Sequence, residues 1–297
     1  MCAAVACNRP DETPAETATP PAAETGGSTQ AGWTTTEGMD APESVFVDPS
    51  SGFIYVSQIA GAPDGRDGNG RVSKLRGDGS VVNPNFTTGL NAPKGLRVCQ
   101  GRLWAADLGE AVSIDLGTGA VASRVALPEA QFPNDVACGA DGTVYVSDMM
   151  ASRIYAVQGD SVTVFAQGDD LEWPNGLLVE GDRLIVGGWG KPEADFSSKV
   201  PGRLFALDLK TKQKTLITRE PTGNIDGVES DGRGGYVVTD WFNGRVLHVS
   251  SAGEVRELRK FAQGTADLAF VAAGNIAIVP HMMENKVVAY DLSEVLK

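Results

Sequence analysis

Six segments of the chain share one pattern, and this repetition constrains the fold more than any other feature of the sequence. Each has a short polar or proline-led opening, an apolar strand, a Gly/Asp turn, a second apolar strand, a polar loop and a third strand. The second residues of these segments are separated by 51, 40, 41, 51 and 41 positions. Repeats of about 40 residues with three or four short strands are typical of propeller blades. The sequence therefore predicts an all-β, six-bladed β-propeller.

The last repeat lacks an outer strand, which raises the question of how the ring closes. Its strands are predicted near residues 268–271, 275–279 and 286–291, after which the chain all but ends. Residues 33–36 are strand-like and directly precede the first repeat. We expect this N-terminal strand to complete the last blade, because doing so removes an exposed sheet edge. The propeller would then span residues 33–297.

The first 32 residues have a different composition from the repeats. Residues 8–32 are rich in Pro, Thr, Glu, Ala and Gly and hold almost nothing to bury, which predicts a disordered tether. Ala4-Val5-Ala6 before Cys7 is similar to the cleavage site of a bacterial lipoprotein, although the usual basic and long apolar stretches are missing. The alternative is a low-complexity N-terminus without a signal. The lipoprotein interpretation predicts a periplasmic or cell-envelope protein, anchored by lipid at Cys7.

The charge of the chain bears on its partners. The net charge is −13, and Lys and Arg are scattered singly, so nucleic acid is not an expected partner. No apolar run approaches the roughly 20 residues that a membrane-spanning helix needs. A small-molecule substrate is the expected partner, and Cys7 is the only expected contact with a membrane.

The two intervals of 51 residues locate insertions. The extra residues fall at 60–70 in the first repeat and at 190–202 in the fourth, each after a second strand. In a four-stranded blade this loop lies on the face where the innermost strand begins. We expect both insertions to overhang one mouth of the channel from nearly opposite sides, on the face where functional loops concentrate.

The second residue of each repeat is predicted to begin an innermost strand, so that six side chains converge on the channel. Carboxylates and amides dominate this set, which is costly to bury unless a positive group lies among them. Oxygen ligands without Cys or His suit a hard cation such as Ca²⁺. The alternative for each single Asn or Asp is a turn-forming role. The six residues are Glu43, Lys94, Asn134, Asn175, Asp226 and Asp267.

The opening segments PES, PND, PNG and IDG resemble those of the gluconolactonase/regucalcin family, and more distantly the diisopropylfluorophosphatase and paraoxonase propellers, over residues 42–291. The resemblance implies that Glu43, Asn134, Asn175 and Asp226 hold a divalent cation, usually Ca²⁺. It also implies hydrolysis of lactones or related esters, with Asp226 as base or nucleophile. Phe132-Pro133 stands where sugar lactonases usually carry an arginine. This departure bears on a sugar-acid substrate more than on the metal.

Other polar residues have two interpretations each. His281 follows the second strand of the sixth repeat, where phosphotriesterase-type relatives place a histidine; it is a candidate catalytic base or a surface-loop residue. Lys94 either balances Asp267, which we favour, or binds a substrate carboxylate. Large side chains that also follow second strands are expected to form the wall of the mouth, as packing more than as specificity elements: Met149, Trp189 and Trp241.

The cysteines divide between the two parts of the chain. In the lipoprotein interpretation, Cys2 leaves with the signal and Cys7 takes the lipid. Cys99 and Cys138 lie near the first hairpin turn of adjacent repeats, on the face opposite the predicted metal. They form either an inter-blade disulfide, which an oxidising compartment permits, or two buried free thiols.

Two functions of different classes fit these observations. The first is a Ca²⁺-dependent hydrolase of lactones or related esters. The second is a non-catalytic, NHL-like propeller that binds a partner, and Ser152-Arg153-Ile154 and Asn243-Gly244-Arg245-Val246 fit such repeats. The Glu/Asn/Asn/Asp set favours the hydrolase, because a scaffold needs no such ring, whereas the fold alone favours neither.

Overall fold

The structure is a computed structural model that describes residues 1–3 and 24–297. Within these residues, six sheets of four antiparallel strands are arranged in chain order, each strand pairing with the next. The predicted six-bladed β-propeller is confirmed.

The innermost strand of each blade comes first in the chain, except that the last blade takes its outer strand from the N-terminus. Blade one consists of β2 (Pro42–Val47), β3 (Ile54–Gln58), β4 (Gly70–Leu75) and β5 (Val81–Leu90); blade two of β6 (Leu96–Cys99), β7 (Arg102–Asp107), β8 (Glu110–Asp115) and β9 (Val121–Ala126). Blade three consists of β10 (Pro133–Cys138), β11 (Val144–Asp148), β12 (Arg153–Gln158) and β13 (Ser161–Gln167); blade four of β14 (Pro174–Glu180), β15 (Arg183–Gly188), β16 (Leu204–Asp208) and β17 (Lys214–Leu216). Blade five consists of β18 (Ile225–Ser230), β19 (Tyr236–Asp240), β20 (Arg245–Val249) and β21 (Val255–Lys260); blade six of β22 (Ala269–Val271), β23 (Ile276–His281), β24 (Lys286–Asp291) and β1 (Thr34–Thr35). Three short 3₁₀ turns lie at Asp169–Leu171, Ala272–Gly274 and Met282–Glu284.

The ring closes as the sequence predicts. In β1, Thr34 pairs with Val288 and Thr35 with Val287 of β24. The hydroxyl of Thr35 is buried and donates to the carbonyl oxygen of Gly79 in blade one at 2.6 Å. The N-terminal strand thus covers the open edge of blade six and ties it to blade one.

Apolar side chains fill the space between neighbouring blades. The cluster between blades one and two contains Tyr55, Phe86, Leu103 and Ile114, all buried. Five further clusters join the other pairs of blades, including blade six with blade one. Burying one such side chain contributes about 1.5–3 kcal/mol. The core is therefore a ring of inter-blade layers around a polar channel.

Part of the predicted tether is attached to the propeller. The N–H of Gly26 donates to the Ser51 carbonyl oxygen, and the N–H of Gly77 donates to the Gly26 carbonyl oxygen, both at 2.8 Å. The prediction of disorder through Gly32 therefore differs from the structure. These contacts involve the backbone alone, so a composition without apolar residues does not exclude them. Cys7 and the predicted cleavage site lie outside the described residues.

The two cysteines of the propeller form a disulfide between blades two and three. Cys99 ends β6 and Cys138 ends β10, with their Cα atoms 5.4 Å apart. The bond lies on the face opposite the start of the innermost strands. The disulfide alternative is thereby favoured over two free thiols. Among the described residues, no helix is long and apolar enough to cross a membrane.

Candidate functional site

Four innermost strands contain a β-bulge at the residue that the sequence singles out. The pairing register shifts between Pro42 and Ser44, Pro133 and Val136, Pro174 and Leu177, and Ile225 and Val228. A bulge bends its strand and re-aims side chains. The residues inside these bulges include Glu43, Asn134, Asn175 and Asp226, so the same local distortion positions all four candidate ligands.

Hydroxyl groups on the second strands satisfy the backbone groups that three of these bulges displace. The acceptor is Ser57 in blade one, Ser147 in blade three and Thr239 in blade five. They receive the N–H groups of Ser44, Asp135 and Gly227 at 2.9, 2.8 and 2.7 Å, respectively. Because a buried N–H without a partner is costly, these hydroxyls hold the bulges in place.

A carboxylate at the end of the second strand fixes the segment that leads into the bulge. Asp148 accepts hydrogen bonds from the N–H groups of Gln131 and Phe132 at 2.8 and 2.7 Å. Asp107 and Asp240 accept equivalent bonds in blades two and five. The position of Asn134 thus depends on a buried carboxylate that is not itself a candidate ligand.

The innermost strands of blades four and five approach each other closely at Gly176. A Cβ atom there would lie 2.2 Å from the carbonyl oxygen of Asp226. Only glycine fits this contact. It brings Asn175 beside Asp226 at the mouth.

The four candidate ligands line one cavity of about 480 Å³ at the mouth of the channel. Lys94 also lines it, so the structure brings together five of the six predicted channel residues. Asp267 is the exception. Its carboxylate accepts a hydrogen bond from the Ser44 hydroxyl at 2.5 Å and is not among the lining residues.

The two carboxyl groups of the cavity are electrostatically unsatisfied. Burial, reinforced by the charge of Asp226 and opposed by that of Lys94, raises the pKa of Glu43 well above its usual range. Burial, with a smaller contribution from Asp135, raises the pKa of Asp226 to about 8. Such shifts mean that the ionised forms lack compensating charge. A bound cation would supply it.

Three of the four candidate ligands have a buried oxygen without a hydrogen-bond partner: Oε2 of Glu43, Oδ1 of Asn175 and Oδ1 of Asp226. Leaving such an atom unpaired costs about 1–3 kcal/mol. Two carboxylates and two amides fit a hard divalent cation, which takes oxygen ligands. Within the described residues, no three His, Cys, Asp or Glu side chains are grouped as a metal cluster, and this candidate set depends on its amides.

Lys94 has partners other than the one we favoured from the sequence. Its Nζ donates to the carbonyl oxygens of Ala92 at 2.9 Å and Pro63 at 3.2 Å, and lies 4.4 Å from the centre of the Phe132 ring. Burial lowers the pKa of Lys94, and the charge of Glu43 is the largest opposing influence. Lys94 therefore balances Glu43, while Arg97 is the cation that acts on Asp267.

The structure does not bring His281 to the cavity. The residue ends β23, is 3% exposed, and its Nε2 lies 2.9 Å from the hydroxyl of Tyr290. Its ring packs edge-on against Phe261, with centroids 4.8 Å apart. Burial lowers the pKa of His281 to about 4. This placement differs from both sequence interpretations, a base at the mouth and a surface-loop residue, and indicates a packing role.

A second layer of charge lies deeper in the channel and was not predicted. Arg97 and Glu229, on the innermost strands of blades two and five, form an ion pair of 2.8 Å across the axis. Burial raises the pKa of Asp135 to about 7, and the charge of Arg97 opposes the shift. One sequence feature could have indicated this layer. Asp135 is the third residue of its repeat, a position that glycine (Gly95 and Gly176) occupies in the two neighbouring repeats.

Both insertions reach the cavity, as predicted. Gly61 and Pro63 of the first insertion and Phe196 of the second are among its lining residues. Trp189, Trp241 and Met149 line it as well. The cavity thus combines a polar floor, made by the bulges, with walls made by loops.

The chain matches no protein-family profile, and no curated protein sequence matches it. Solved structures with the same fold include an inactive variant of virginiamycin B lyase from Staphylococcus aureus with quinupristin, at 12% identity and a TM-score of 0.58, over 86% of this chain and 97% of that one. A gluconolactonase from Xanthomonas campestris is 18% identical with a TM-score of 0.58, over 85% and 84% of the two chains.

A chain of a nidogen/laminin complex is 14% identical with a TM-score of 0.60, over 85% of this chain and 89% of that one. At these identities the similarities show the propeller fold alone.

Proposed function

We propose that the protein is a divalent-metal-dependent hydrolase of lactones or related esters, with Ca²⁺ as its ion. The observation that carries this proposal is the set of three buried, unpaired oxygens on Glu43, Asn175 and Asp226. They belong to bulges of three different blades and line one cavity.

The roles divide among the residues of the cavity. Glu43, Asn134, Asn175 and Asp226 would hold the ion, which when bound supplies polarisation of a substrate oxygen. Asp226 is the proposed base or nucleophile, as the resemblance implies, and its carboxylate lines the cavity with one oxygen free of hydrogen bonds. Lys94 stabilises the ionised form of Glu43. Phe132 and Trp189 exclude water from one side.

Two of the similar structures are named as enzymes, a gluconolactonase and a lyase, and this supports the proposal of an enzymatic function. A shared fold does not specify a reaction. The proposal therefore depends on the cavity residues of this chain.

Ca²⁺-dependent thermal stability tests the metal. An ion that binds only the folded protein stabilises it in proportion to the logarithm of its concentration. A chelator should lower the Tm of the wild type, and Ca²⁺ should restore it. Asp226→Asn should reduce this response, whereas Lys94→Ala, which removes no oxygen ligand, should retain it.

Asp48→Asn is the matched control, because Asp48 is a buried carboxylate that follows β2, does not line the cavity and accepts its side-chain hydrogen bonds from Ser50 and Ser51. It should lower the Tm equally with and without Ca²⁺. An unchanged Tm of the wild type on chelation would contradict the proposed metal.

A panel of lactones and aryl esters tests the reaction. We expect the wild type to hydrolyse at least one compound in a Ca²⁺-dependent way. Asp226→Asn should lower the rate of hydrolysis by a larger factor than it lowers the affinity for Ca²⁺. If no compound of the panel is hydrolysed and chelation changes nothing, the binding-scaffold alternative becomes the better interpretation.

We also propose a cell-envelope location with a lipid anchor at Cys7, supported by the residues that precede it and the polar segment that follows. Mass spectrometry of the N-terminus, after expression of the gene with its upstream codons, tests this. A lipid-modified N-terminal Cys7 is expected, and an unmodified chain beginning at Met1 would refute the anchor.

A further inference from the structure

One side of the cavity is an apolar wall that the proposed metal chemistry does not use. Its side chains come from blades three, four and five and from the second insertion: Phe132, Met149, Trp189, Phe196 and Trp241. Met282 and Met283 face the cavity from blade six. We call the first five residues the aromatic wall.

Contacts within the protein hold the side chains of the aromatic wall in place. The Phe132 and Phe196 rings lie 5.5 Å apart, and the Trp189 and Trp241 rings 5.9 Å apart. Trp189 is only 4% exposed, and its Nε1–H donates to the Phe196 carbonyl oxygen at 2.8 Å. The carbonyl oxygen of Trp189 accepts a bond from Asn224 at 2.8 Å. The polar groups of Trp189 are thus satisfied within the protein, and a ligand meets its ring.

Few polar groups of the cavity remain for a substrate. Glu43, Asn134, Asn175 and Asp226 belong to the candidate metal set, and Lys94 already donates to two carbonyl oxygens. Asn285 is the remaining polar side chain of the lining, and its Oδ1 accepts the N–H of Ala41 at 2.8 Å. This leaves the amide N–H groups of Asn285 and one N–H of Lys94 as donors for a substrate. A hydroxyl group buried without a partner is disfavoured. A ring with many hydroxyl groups would leave most of them unpaired against the aromatic wall.

We propose that the cavity selects lactones or esters that carry a bulky apolar substituent and rejects polyhydroxylated ones. The reacting carboxyl group lies at the polar floor, and the substituent packs on the aromatic wall, where offset or edge-on ring contacts are favourable. The reaction in this statement rests on the proposed hydrolase function, whereas the selection by the wall is a property of binding.

Calorimetric titration with lactams, which keep the ring and carbonyl of a lactone but resist hydrolysis, measures this selection directly. The two probes are a γ-lactam carrying a phenyl group and a γ-lactam carrying only hydroxyl groups, each in the presence of Ca²⁺. We expect the phenyl probe to bind at least about tenfold more tightly, as burial of an aromatic group allows. Equal affinity, tighter binding of the hydroxylated probe, or no binding of either would overturn the inference.

Trp241→Ala tests the wall itself, since Trp241 is half-buried and its truncation spares the more deeply buried Trp189. This substitution should weaken the binding of the phenyl probe about tenfold and leave the Ca²⁺-dependent Tm shift unchanged. Trp104→Ala is the matched control: Trp104 is also half-buried, but packs between blades two and three. Trp104→Ala should change neither the affinity for the phenyl probe nor the Ca²⁺-dependent Tm shift. An unaltered affinity of Trp241→Ala for the phenyl probe would refute the role of the wall.

The two proposals fail separately. Tight binding of the phenyl probe without hydrolysis of any ester would refute the hydrolase and keep the apolar selection. Hydrolysis with a preference for hydroxylated lactones would keep the hydrolase and refute the selection.

Discussion

Asp226 is a candidate metal ligand, and its surroundings strongly raise the pKa of its carboxyl group. Burial and the nearby Asp135 raise its pKa from 3.8 to about 8. The folded, metal-free protein therefore binds a proton there across a range in which the unfolded chain does not. The stability that this proton contributes is complete below about pH 4 and is lost as the pH rises through about 8.

In chelator, the wild type should consequently lose stability relative to Asp226→Asn as the pH rises from about 5 to about 8, because asparagine does not titrate there. The difference should change by at most about 1.4 kcal/mol per pH unit. Urea unfolding of both proteins at several pH values measures it. A difference that is constant with pH, or that changes in the opposite direction, would contradict the raised pKa.

At the scale of single elements, β1 has an effect larger than its two residues suggest. It covers the edge of β24, and Thr35 and Trp33 bond to the carbonyl oxygens of Gly79 and Gly77 in blade one. Without β1, the backbone of β24 is an unpaired edge.

A chain starting at residue 37 should therefore be less stable than the full chain by at least about 2 kcal/mol, because it loses the side-chain hydrogen bonds of Trp33 and Thr35 and the packing of the Trp33 indole on the cluster between blades six and one. A chain starting at residue 24 is the control, because it loses no contact that the structure describes. Thermal and urea unfolding compare them. Equal stability of the two truncated chains would show that β1 does not close the ring.

The sequence predicted those elements whose signal repeats. Six openings at near-constant spacing placed the blades, and the length of two intervals placed the insertions. The β-bulges were not predicted, because the hydroxyl groups of Ser57, Ser147 and Thr239 that stabilise them lie on a different strand. The attachment of Gly26 uses only backbone groups, which composition does not reveal.

Side-chain direction also limited the prediction of the site. Strict alternation gives no reason for Asn134 and Asp135 both to lie near the axis, whereas the bulge between Pro133 and Val136 does. His281 was placed at the mouth from its position after a strand, but the strand continues through it. The packing of its ring on Phe261 depends on residues 20 positions earlier in the chain.

At the scale of the whole molecule, the disulfide joins blades two and three on the face opposite the cavity. It closes a segment with a sequence separation of 39 residues. Cross-linking a loop of this length restricts the unfolded chain and stabilises the folded one by about 4 kcal/mol.

The double variant Cys99→Ser/Cys138→Ser should therefore have a lower free energy of unfolding by about that amount, and Cys2→Ser, which alters an exposed free cysteine, should not. Urea unfolding under oxidising conditions measures both, and reductant should bring the wild type to the level of the double variant. Insensitivity of the wild type to reductant would contradict a stabilising bond.

The attachment of Gly26 to the turns at Ser51 and Gly77 places the start of the described propeller segment on the face opposite the cavity. Those turns follow the first and third strands of blade one, on the side away from the start of the innermost strands. Glu24, which pairs with Arg76, lies on that side as well. A label or a fused protein joined at Glu24 would therefore lie on the far side of the propeller from the cavity and leave its mouth open to solutes from the bulk.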